Sequence, residues 1–114
     1  MSKDQLICNI KEEIKTIDAY VYSYENVKLP SGRKCVVSMN VFQAKLDLLI
    51  NACEELCTIY PEIFSSEQCK ELKDIQLEDI SHARYKCIDT KEEYEQVVSI
   101  WHKVKLLLKP IINN

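Results

Sequence analysis

The sequence predicts an all-α protein, an antiparallel four-helix bundle whose first connection is long. Apolar residues near the start recur at alternating spacings of three and four, which line one face of an α-helix. Two later segments repeat this pattern, and the 114 residues include a single Gly, whereas sheet-rich domains normally use several in turns and bulges. The first stripe consists of Ile7, Ile10, Ile14, Ile17, Val21 and Tyr24.

Length and composition predict one globular domain spanning residues 1–114. Hydrophobic residues make up 46% and charged residues 29% of the chain, well outside the range typical of disorder. The 15 basic and 18 acidic residues are interspersed, so we expect no nucleic-acid partner, which would usually require a basic face. The chain shows no apolar run of membrane-spanning length and no export signal, so we expect a cytoplasmic location and no membrane partner.

The first helix is predicted over residues 3–24, after a capping box formed by Ser2 and Gln5. Three tyrosines crowd its end, and because successive helical residues point about 100° apart, they cannot all face one core. One interpretation packs Tyr20 or Tyr24 and leaves Tyr22 on the surface. The other is an aromatic patch for a partner, which makes Tyr22 and Tyr24 candidate binding residues.

Residues 25–38 break the helical pattern, and Pro30-Ser31-Gly32 is the strongest turn signal in the chain. The flanking residues have extended character, which fits either a short β-hairpin or an ordered loop. Binding residues concentrate on such loops, so Arg33 and Lys34 are candidate partner-binding residues. A solvated connector is the competing interpretation.

The second helix is predicted to begin near Asn40, with Gln43 completing a cap, and to end before Pro61. Its main stripe consists of Phe42, Leu46, Leu49, Cys53, Leu56 and Tyr60. Further apolar residues, Leu48, Ile50 and Ile59, widen the stripe beyond what one neighbouring helix covers. This helix is therefore predicted to be central or to lie in a dimer interface, and Leu48 and Ile59 are candidate partner-binding residues.

Two further helical segments complete the prediction. The third begins after a cap at Ser65 or Ser66 and extends to about residue 87, with a bend or a break at residues 76–79 that restores its register. The fourth follows a capping box formed by Thr90 and Glu93, and Pro110 ends or kinks it. Its predicted inward face is Tyr94, Val97, Val98, Trp101, Val104 and Leu108, with Trp101 as a core anchor.

The six cysteines are expected to be reduced, because the cytosol keeps thiols reduced, and free thiols then behave as small hydrophobic groups. Cys53 and Cys57 are the exception worth testing, since residues four apart share a helix face and could supply half of a metal site. No second pair supports a metal, and redox pairs usually have two intervening residues rather than three. We therefore predict no metal and no cofactor.

No catalytic motif stands out, and a single Gly leaves no room for a glycine-rich phosphate loop. The sequence thus predicts a small, non-enzymatic protein–protein interaction module that acts through a helical face. An adaptor, an inhibitor, an immunity factor and an assembly subunit all fit this class. Its expected partner is another protein or a second copy in a homodimer. The alternative is a thiol-based metal or redox module centred on Cys53 and Cys57.

Overall fold

A computed structural model describes residues 2–26, 39–76 and 91–113, and side chains over residues 2–22, 40–76 and 95–113. Every regular element in these ranges is helical, which confirms the all-α prediction. The helices are α1 (Lys3–Asn26), α2 (Met39–Ile59), α3 (Ser66–Ile75), α4 (Lys91–Leu107) and α5 (Lys109–Ile112). None of these described helices has the length and apolar character needed to cross a membrane.

The predicted helix boundaries agree with the structure to within about two residues where they can be compared. α1 continues to Asn26, two residues past its predicted end, because the first strong helix breaker in the sequence is Pro30. α2 ends at Ile59, before Pro61 as predicted. The proposed hairpin in residues 27–38 and the predicted helical segment beyond residue 76 lie outside the described residues, as does the cap at Thr90.

Among the described residues, serine side chains cap α1 and α3. Ser65 accepts a hydrogen bond from the Gln68 backbone N–H at 3.2 Å, and the Gln68 side chain accepts one from the Ser65 backbone N–H at 2.9 Å. This pair is a complete capping box and decides between the two predicted caps of α3. At α1 the Ser2 hydroxyl accepts from the Gln5 backbone N–H at 3.1 Å, while the Gln5 amide donates forward to Asn9.

The described core is built from one face of each of the longer helices. The α1 stripe is buried from Ile7 to Val21 as predicted, and Leu6 joins it. Ile63 and Phe64 add to this core from the connector between α2 and α3. The buried residues of α2, α3 and α4 are Phe42, Leu46, Leu49, Ile50, Cys53, Leu56, Cys69, Leu72, Val97, Ile100, Trp101 and Val104.

α2 packs against α1, α3 and α4, and its most extensive contact is with α1. Its contacts with α3 join Cys57 to Cys69, Glu54 to Lys73 and Asp47 to Gln76. Residue numbers fall along α2 as they rise along α3, so these two helices run in opposite directions. The short connector at residues 60–65 imposes this reversal.

Trp101 anchors α4 in the core, as predicted. Its side chain is fully buried, and its ring meets the ring of Phe42 edge to face, with 6.3 Å between centroids. The indole N–H donates to Asp18 Oδ1 of α1 at 2.6 Å, and Lys105 Nζ lies 3.2 Å from the same oxygen. A buried indole N–H thus finds its acceptor at the edge of the core.

A turn at Leu108 separates α4 from α5, and Pro110 lies in the first turn of α5. Proline removes a backbone donor and disfavours helical backbone before it, which accounts for the interruption. Leu108 and Ile111 are both fully buried, so the chain beyond α4 packs onto the core. α4 therefore ends before Pro110, and the residues after it form a short separate helix that packs rather than frays.

Replacing Asp18 tests the hydrogen bond that joins α1 to α4. The Asp18→Ala change leaves the buried indole N–H without its acceptor, which should lower the free energy of unfolding by about 1–3 kcal/mol. Asp18→Asn keeps an acceptor oxygen and should lower it by clearly less. Urea unfolding followed by circular dichroism measures both. Equal losses for the two variants would show that the acceptor is unimportant.

Candidate functional site

The surface of α2 that faces away from the core carries a row of exposed apolar side chains. Val41 is 44% exposed, Leu48 is 62% exposed and Ile59 is 46% exposed. At about 100° per residue these three positions point within roughly 20° of one another, and about 120° from the centre of the buried face. We call these three residues the outer stripe of α2.

The outer stripe contains both of the α2 residues that the sequence singled out as partner-binding. Leu48 and Ile59 are exposed there, whereas Ile50, which was grouped with them, is buried in the core. Sequence reasoning missed Val41, although it precedes Leu48 by seven residues, the interval that returns to the same helix face. Ala52 lies at the inner edge of the stripe, half-buried against the core.

Tyr22 lies in a polar cluster between α1 and α4. Lys105 Nζ lies 3.3 Å from the Tyr22 hydroxyl oxygen and 5.2 Å from the centre of its ring, and the ring is half-buried against the core. Burial lowers the pKa of Lys105, but hydrogen bonds to Tyr22 and Asp18 outweigh this and leave that pKa raised. Tyr20 and Tyr22 are both half-buried against the core, so Tyr22 is neither fully exposed nor fully packed.

The remaining predicted binding residues lie outside the described part of the chain. They are the side chain of Tyr24 and the loop residues Arg33 and Lys34. The structure brings Leu48 and Ile59 together on one face of α2, while the contact that it gives for Tyr22 is with Lys105 of α4. Of the three tyrosines, Tyr20 does contact α2, because Lys45 Nζ lies 5.4 Å from the centre of its ring.

Cys53 and Cys57 have different environments. Cys53 is fully buried, while Cys57 is half-buried. Burial, together with the negative charges of Cys69 and Glu13, raises the pKa of Cys53 to about 12. Within residues 2–26, 39–76 and 91–113, no group of three or more Cys, His, Asp or Glu side chains is suited to hold a metal ion.

The spacing of Cys53 and Cys57 also disfavours a disulfide between them. Residues four apart on a helix have their Cβ atoms about 5–6 Å apart. A disulfide needs a Cβ separation of about 3.5–4.5 Å, so this pair would have to distort α2. Cys57 instead has a thiol neighbour on α3, because its side chain shares a hydrogen bond with that of Cys69.

A polar groove separates α2 from α3 beside these thiols. It has a volume of about 410 Å³ and is lined by Asp47, Asn51, Glu54, Lys73 and Gln76, together with Ile50. Lys73 Nζ lies 2.6 Å from Glu54 Oε1, and the hydrogen bond to Glu54 raises the pKa of Lys73. Gln76 donates to Asp47 farther along the groove. One ion pair and one hydrogen bond thus join the two helices across the groove.

Comparison of the chain with protein-family models, with curated proteins and with solved structures finds no significant match in any of the three.

The raised pKa of Cys53 predicts a loss of stability in alkaline solution. An unfolded thiol releases its proton above its ordinary pKa of 9.0, whereas folded Cys53 retains it until about pH 12. The free energy of unfolding should therefore fall across this interval by up to about 1.4 kcal/mol per pH unit from this group. Urea unfolding at a series of pH values measures the slope.

Cys53→Ala is the control for this slope, because lysines and tyrosines titrate equally in both proteins. The variant should lose stability less steeply with rising pH than the parent chain, whatever its absolute stability. Parallel curves for the two proteins would contradict the assignment to Cys53.

Proposed function

We propose that this protein is a non-enzymatic protein–protein interaction module that acts through the outer stripe of α2. The observation that carries the proposal is the row of exposed apolar side chains at Val41, Leu48 and Ile59. In this proposal the four longer helices form an antiparallel bundle in the cytoplasm, and the chain serves as an adaptor, an inhibitor, an immunity factor or an assembly subunit.

The arrangement of the exposed residues matters more than their number. Single apolar residues are common on protein surfaces and need no explanation. The outer stripe differs because its residues share one helix face over about 27 Å, the rise of eighteen residues. A helix laid along this face would remove all three side chains from water, which is the main favourable contribution to such contacts.

A second copy of the chain is the partner that this stripe fits best. In a two-fold symmetric contact, two residues that meet across the interface meet a second time with the two copies exchanged. Two antiparallel α2 helices centred on position 50 would place Val41 opposite Ile59 of the second copy. The same register sets Leu48 opposite Ala52 of the second copy, so a large side chain meets a small one.

Leu48 is the residue that best tests this proposal, because it lies nearest the middle of the stripe. If the stripe joins two copies, light scattering should give twice the chain mass of 13.3 kDa at high concentration. Leu48→Glu would bury a charge in the contact, so it should weaken the dimer by at least about tenfold. Dilution series of the two proteins measure the change.

Leu106→Glu is the matched control, because Leu106 is 60% exposed but lies on α4. This variant should dimerise like the parent chain. A parent protein that stays monomeric at every concentration would overturn the second copy as partner. Equal weakening by both substitutions would overturn the assignment of the contact to α2.

A further inference from the structure

Cys57 and Cys69 form a thiol pair that joins two helices. Cys57 lies two residues before the end of α2, and Cys69 is the fourth residue of α3. The ion pair between Glu54 and Lys73, with 2.6 Å between Oε1 and Nζ, joins the two antiparallel helices one turn away and so sets Cys57 opposite Cys69. A hydrogen bond between the two cysteine side chains contributes to the raised pKa of Cys69. Both thiols are free in this structure.

The surroundings hold these two helix segments in place. The Ser65 and Gln68 capping box fixes the first turn of α3, and the ion pair between Lys73 and Glu54 joins α3 to α2 one turn farther along. Each contact lies within four residues of one of the two cysteines. The sulfur atoms are therefore brought together by ordered backbone on both sides.

The two thiols differ in access. Cys57 is half-buried, whereas Cys69 is 6% exposed. Burial raises the pKa of Cys69, as does the neighbouring Cys57, while the charge of Lys73 opposes this rise. A dissolved oxidant would thus reach Cys57 first, and Cys69 would act as the second thiol.

We infer that Cys57 and Cys69 form a reversible disulfide when the protein meets a peroxide. The Cys57 thiolate attacks one peroxide oxygen, which gives a sulfenic acid and releases the other oxygen as water after protonation. The Cys69 sulfur then attacks the sulfenic sulfur, its proton leaves, and a second water departs as the disulfide forms. Overall, two thiols are oxidised to one disulfide, and hydrogen peroxide is reduced to two water molecules. A dithiol reductant reverses the oxidation by thiol exchange.

This inference does not rest on the proposed interaction surface. It concerns the side of α2 that faces α3, whereas the outer stripe faces away from the core. It also differs from a redox pair of Cys53 and Cys57, because the disulfide would join two helices rather than two positions on one helix.

Peptide mapping of the intact chain tests the pairing. The folded protein is treated with hydrogen peroxide, its remaining thiols are alkylated, and it is cleaved after glutamate. Cys57 then falls in residues 56–62 and Cys69 in residues 68–71, while Cys53 remains with Cys35 in residues 26–54. Cys8 and Cys87 lie in residues 1–12 and 79–92. Each possible partner of Cys57 outside residues 26–54 is therefore on a peptide of its own.

The expected product is residues 56–62 linked to residues 68–71, lighter by two hydrogens than the sum of the two free peptides. It should vanish in Cys57→Ser and after dithiothreitol, and persist in the control Cys8→Ser. On a non-reducing denaturing gel the oxidised, uncleaved protein should run at the mass of a single chain, because the disulfide lies within one molecule. Linkage of residues 56–62 to any other peptide would overturn the inference. Recovery of Cys69 as an alkylated thiol, with Cys57 either alkylated or oxidised beyond the sulfenic acid, would also overturn it. The same product from protein oxidised in urea would show that the fold does not direct the pairing.

Discussion

The rest of the structure depends on how α2 is oriented about its own axis. This helix packs against α1, α3 and α4, so its buried face is fixed by three neighbours. Turning it by one residue would move its core positions, such as Phe42 and Leu46, by about 100° and take them out of the core. The same constraint that buries one apolar face leaves Leu48 and Ile59 on the outside.

The two other surfaces of α2 have different chemistry. Toward α3 it presents Cys57, Glu54 and Asp47, each of which meets a polar or thiol partner on the neighbouring helix. Toward the outside it presents the outer stripe, whose apolar side chains need no polar partner. The first surface stabilises the packing of α2 against α3. The second surface is exposed to water in the part of the chain that the structure describes. Apolar area in contact with water is what association removes.

The sequence allowed much of this fold to be predicted, because apolar spacing reports helix faces directly. The buried stripe of α1 and the position of Trp101 followed from spacing alone. Local spacing could not show that Tyr22 meets Lys105 or that Cys57 meets Cys69, since these contacts join helices whose relative placement is a tertiary property. It also could not separate Ile50 from Leu48, because both extend the apolar stripe of α2 and only the neighbouring helices decide which one is covered.

Intermolecular contacts between methyl groups test the central claim most directly. In a mixture of isotopically labelled and unlabelled chains, isotope-filtered nuclear Overhauser spectra report only proton pairs that belong to different copies. The antiparallel register predicts contacts from Leu48 of one copy to Ala52 of the other, and from Val41 to Ile59. Intermolecular contacts confined to Leu106 of α4, or none at concentrations where light scattering shows a dimer, would contradict an interface on the outer stripe.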